Sequence, residues 1–101
     1  MTPEVVYQRR DAKARPHLEQ YAPVWIIDQK YIPDDMSVQF NAVFQHPLYG
    51  WVNRRYLYDG FNDVLYHKGQ TLIDEARALE IEESEPYLTA TISDVPNAYG
   101  G

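Results

Sequence analysis

The chain reads as an α+β domain, an antiparallel meander of about four to five strands with one helix near the C-terminus. Three observations predict this class. Val38, Phe40, Ala42 and Phe44 alternate with Gln39, Asn41, Val43 and Gln45, the period-2 pattern of a half-buried strand. Turn-forming stretches cut the neighbouring β-branched and aromatic segments into hairpin-length pieces. A helix-forming run follows these strands instead of alternating with them, which favours α+β over a parallel βαβ layout.

At the N-terminus, residues 7–14 could form one or two helical turns. Pro16 should stop them, because proline disfavours the α conformation in the residue before it. A second short turn, residues 17–21, ends before Pro23. The domain reading is therefore an N-terminal arm (1–21), a single α+β domain (22–92) and a polar tail (93–101).

Residues 24–27 (Val-Trp-Ile-Ile) are apolar on both faces and read as an inner strand that could run on to Tyr31. Pro33-Asp34-Asp35 supplies a turn, and the alternating strand follows. His46 to Gly50 is a hairpin-length connection. Residues 51–58 form the next strand, with Trp51 and Leu57 on one face and Val52, Tyr56 and Tyr58 on the other. A four-residue loop, 59–62, pairs Leu57 with Val64 and Tyr56 with Leu65. Such apolar cross-strand pairs stabilise by about 0.2–1 kcal/mol each. Lys68-Gly69 ends that hairpin. A helix is expected over 74–83 with Asp74 as N-cap. Its apolar residues spread around the wheel, and carboxylates crowd its C-terminal half, the unfavourable end of the macrodipole. Packing must hold it. Residues 87–92 (Tyr-Leu-Thr-Ala-Thr-Ile) read as a last strand.

Composition excludes several chemistries. The 101 residues include no cysteine, so disulfides, thiolate metal sites and Cys nucleophiles are ruled out together. The net charge of −6 argues against nucleic-acid binding by direct phosphate contact. No apolar run approaches the roughly 20 residues that would insert in a membrane. The first residues, Met-Thr-Pro-Glu, lack a secretory pattern, and a cytoplasmic location is the expectation. The charge is also segregated: residues 74–85 carry net −5, and the rest is near neutral.

Catalytic motifs are missing. Ser37, Ser84 and Ser93 have no Gly-x-Ser-x-Gly frame. His17, His46 and His67 lie in unrelated contexts without metal-ligand spacing, so no metal is expected. Gly50, Gly60 and Gly69 are isolated, which excludes a Gly-rich phosphate cradle. No cofactor is expected.

The surviving candidates are surfaces. Tyr49, Trp51, Arg54, Arg55, Tyr56 and Tyr58 form a run of the residue types enriched at binding hot spots. Arg54 and Arg55 should project to opposite faces of their strand, and one could pair with the acidic helix. Glu80, Glu82 and Glu83 could dock a basic partner. The expected function is thus a small non-enzymatic accessory or regulatory protein that docks to a larger protein or to its own kind. An alternative is a small enzyme in which His67 or His46 meets a carboxylate.

Two local resemblances accompany this reading. Gly50-Trp51-Val52 followed by Tyr56-Leu57 is similar to the ending of bacterial SH3-like barrels. It covers eight residues, and a further hairpin and helix follow where such a barrel closes. The terminal Gly100-Gly101 resembles the end of ubiquitin-like modifiers and sulfur carriers, and implies a carrier activated at its C-terminal carboxylate. In the β-grasp fold of those proteins the helix follows the first hairpin, whereas here about four strands precede it.

Overall fold

A computed structural model describes residues 2–84. Their order is α1 (Pro3–Leu18), a 3-10 turn (Glu19–Tyr21), β1 (Trp25–Ile32), a second 3-10 turn (Pro33–Asp35), β2 (Ser37–His46), β3 (Gly50–Asp59), β4 (Val64–Leu72) and α2 (Glu75–Ser84). The strands form one antiparallel meander, β1-β2-β3-β4. No helix among the described residues is long and apolar enough to cross a membrane.

The alternation of β2 decides which face is which. Val38, Phe40, Ala42 and Phe44 are buried together with Val52, Tyr56 and Tyr58 of β3. Their partner is α1, which lays Val6, Ala14 and Leu18 on this face. Burying each large apolar side chain here contributes about 1.5–3 kcal/mol. On the opposite face a smaller cluster joins Trp25, Ile27 and Val43 to Ile81 of α2, with Trp51 and Ile73 packed against it. The Trp25 and Trp51 rings stack at 5.7 Å. Asp74 caps α2 as expected, accepting from the Arg77 N–H at 2.8 Å. Packing on the two tryptophans then holds a helix whose charge pattern opposes its dipole.

Several expectations are corrected. The N-terminal segment is one 16-residue helix, not short turns, and its buried side joins the same core as the strands. Pro16 sits inside that helix. It forfeits one backbone bond, and the chain continues because the Glu19 N–H still bonds to the Arg15 carbonyl. β1 is an edge strand, buried on both faces at its start because α1 and α2 cover opposite sides there.

The β3–β4 register is also displaced: Leu57 pairs with Tyr66 and Asp59 with Val64. Turn chemistry sets it. The Asp59 carboxylate accepts from the N–H groups of Phe61 and Asn62, and the Tyr58 hydroxyl donates to Asp63 at 2.6 Å. Gly60 donates its N–H to the Met36 carbonyl. A Cβ at Gly60 would lie 2.1 Å from that oxygen, so only glycine fits. β4 does not stop at Gly69. A bulge at Lys68 absorbs the irregularity, with Arg55 opposite Gly69, and the strand runs on to Leu72. The strand expected over residues 87–92 and the tail lie outside the described residues.

Candidate functional site

Strand alternation separates the predicted contact residues. Arg54, Tyr56 and Tyr58 lie on the α1 side; Trp51 and Arg55 lie on the other. They do not form one surface. Tyr56 and Tyr58 are buried in the core. Trp51 is half-covered in the α2 cluster. Tyr49 is exposed in the β2–β3 turn, with its ring against His46. Glu80, Glu82 and Glu83 stand exposed on α2, and Glu80 pairs with Arg77 at 3.5 Å. Neither arginine pairs with the acidic helix: Arg54 bonds to Gln70 and Tyr56, and Arg55 to the Lys68 carbonyl. Gly100 and Gly101 lie outside the described residues.

On the α1 side, a cleft of about 300 Å³ opens between the end of α1 and the β3–β4 hairpin. Its walls are His17, Tyr21, Arg54, Tyr56, Leu65 and His67, with Gln20 at the rim. Arg54 is the centre of this site. Its Nε donates to Gln70 at 2.7 Å and its Nη1 to the Tyr56 hydroxyl at 3.1 Å. Its guanidinium lies over the rings of Phe44 (5.0 Å) and Tyr21 (5.6 Å), which themselves stack at 4.5 Å. Every one of these partners is neutral. Burial raises the Tyr56 phenol above its ordinary value, against the opposing pull of Arg54. Burial, and then the Arg54 charge, hold His67 below the ordinary imidazole range. His67 therefore meets Tyr56 and Arg54, and the walls of this cleft hold no carboxylate. Among the described residues no group of three or more potential ligands is placed to hold a metal.

A second cleft, of about 370 Å³, shares His17 and continues along α1 past Lys13 and Arg9. Its carboxylate, Asp63, is held low by the Tyr58 hydroxyl and by Lys13, which reaches it at 3.1 Å.

The opposite face is only partly covered. Beyond the α2 cluster, a shallow groove of about 350 Å³ is lined by Asp28, Gln39, Asn41, Arg55, Leu57 and Lys68. Beside it runs β4, the sheet's other edge, with Val64 37% and Tyr66 44% exposed next to Phe61 at 65%. No family model, curated protein or solved structure matches the chain.

Sequence reasoning found Arg54 and Tyr56 but missed Tyr21, Gln70 and the part played by His17. One signal was present. Arg9, Lys13 and His17 recur every four residues, the spacing of one helix side. It carries weight only once residues 3–18 are read as a continuous helix.

Proposed function

We propose that the chain is a small non-enzymatic accessory or regulatory protein that docks to a larger protein along the β4 edge. One observation carries the reading: an edge strand that pairs with no further strand among the described residues, with Val64 and Tyr66 exposed on the face away from α1. Natural sheets usually shorten, charge or cover such an edge, because its free N–H and C=O groups invite another strand. The partner best suited to it presents an extended acidic segment. That segment would add to β4 by main-chain bonds and meet Arg55 and Lys68, neither of which faces a carboxylate in an ion pair among the described residues. A second copy of this chain suits the edge less well. Antiparallel pairing of two β4 strands centred on the bulge would set Lys68 against Lys68, and like charges directly opposite are destabilising.

The test begins with the full chain in its own host, cross-linked to its partner, followed by binding measurements on the purified pair. Val64→Glu and Tyr66→Glu should each weaken the complex about tenfold or more, by removing an exposed apolar contact and setting a carboxylate against the acidic segment. Glu82→Lys on α2 should bind within about twofold of the parent, as a rim charge does. Undiminished binding by both β4 variants overturns the proposal. So does a chain that sediments as a monomer and yields no cross-linked partner.

A further inference from the structure

The cleft around Arg54 lies on the α1 face of the sheet, away from the exposed Val64 and Tyr66 side chains, although Leu65, His67 and Gln70 of β4 help to form it. We infer that it binds the phosphate group of a small phosphate monoester. A half-buried guanidinium that faces only neutral groups loses hydration without gaining an ion pair. Here that cation is also held in place. Gln70 takes its Nε, the Tyr56 hydroxyl takes its Nη1, and Phe44 and Tyr21 lie against its plane. Its Nη2 has no hydrogen-bond partner among the described residues. The single Nε hydrogen is committed to Gln70, so the Nη2 hydrogens and the second hydrogen of Nη1 are the end-on pair left to donate to an oxyanion.

The other donors favour phosphate over carboxylate. His17 of α1, Arg54 of β3 and His67 of β4 line the cleft together; His67 already engages the Gly69 backbone, so Arg54 and His17 are the donors left for a ligand. A tetrahedral phosphate monoester offers three free oxygens in different directions, whereas a carboxylate offers two in one plane. The Tyr21 ring and Leu65 give an apolar wall for the organic part of the ester.

The charge map agrees. Arg9 and Lys13 continue the site along α1. Asp63, the carboxylate in that extension, is already engaged by Lys13 and Tyr58. The exposed glutamates of α2 lie across the sheet, because α2 packs on the opposite face from α1. Local potential in the cleft therefore departs from the acidic average of the chain.

The test is an NMR titration of the purified full chain at constant ionic strength, with phenyl phosphate, inorganic phosphate and acetate as probes. The expected result is saturable shifts at the Arg54 Nε–H and at the His17 and His67 rings. Phenyl phosphate should bind more tightly than inorganic phosphate, and acetate at least about tenfold more weakly, for want of a third oxygen. Arg54→Lys should weaken phenyl phosphate about tenfold or more, since an ammonium cannot reproduce the stacked fork. Arg54 also packs on core rings, so His17→Ala, at an exposed position, gives a second variant. It should lose affinity several-fold while its thermal melt stays that of the parent. Acetate binding as tightly as phosphate overturns the inference. So do shifts centred on Lys30, Arg55 or Lys68, a titration without saturation, or undiminished binding by His17→Ala.

Discussion

Two arginines lie against aromatic rings, and they differ in what balances their charge. Arg10, 3% exposed, reaches Asp11 and Gln29 and stacks over Phe40 at 4.6 Å. It serves as a core residue, its stem and plane filling the position an apolar side chain would take. Arg54 has the same aromatic support but only neutral polar partners, which makes it the residue for which a ligand is inferred. Tyr58 and Asp63 form the other informative pair. Burial, reinforced by the hydrogen bond to Asp63, pushes the Tyr58 phenol from its ordinary 10.0 up to about 12. The folded state thus holds this proton more tightly than the unfolded chain does. That contribution to stability is complete below pH 10 and is lost as pH rises from about 10 through about 12. Urea unfolding at stepped alkaline pH should show stability falling across that window, with a shallower fall in Tyr58→Phe. The Phe variant keeps some slope because Tyr56 is raised as well. An identical slope in the variant would show that Tyr58 does not carry the dependence.

At the scale of elements, legibility followed periodicity. β2 was readable because Val38, Phe40, Ala42 and Phe44 recur at every second position with Val43 the one apolar residue between them, and α2 because Asp74 marks its start. The continuous helix α1 was not readable, for two physical reasons. Its buried row is Val6, Arg10, Ala14 and Leu18, so a charged residue occupies the second core position and hides the stripe. Pro16 then suggests an end one turn too early. The register of β3 against β4 was missed because a choice based on apolar pairs cannot see the Asp59 carboxylate gathering the turn, or Gly60 docking on Met36. The proline still costs the helix a hydrogen bond. Pro16→Ala should therefore raise stability by about 1–3 kcal/mol in chemical denaturation. A destabilised variant would mean that the ring's packing, and not the backbone, decides at this position.

For the whole molecule, the sheet acts as a partition. One face carries α1, the larger core and a cleft with a row of bases. The other carries the tryptophan cluster, the acidic helix and an open stretch that ends at the β4 edge. The net charge of −6 conceals this arrangement, since a sum has no direction. The sequence located the acidic segment and the aromatic, arginine-bearing strand. It could not show that alternation would divide that strand between two sites, because which face α1 covers is decided by tertiary packing. The central claim is that the β4 edge is the docking surface. Hydrogen exchange on the cross-link-identified complex tests it most directly. New protection is expected at the β4 amides, Val64 to Leu72, with α1 unchanged. Protection gained by α1 or α2 while β4 exchanges as in the free chain would contradict it.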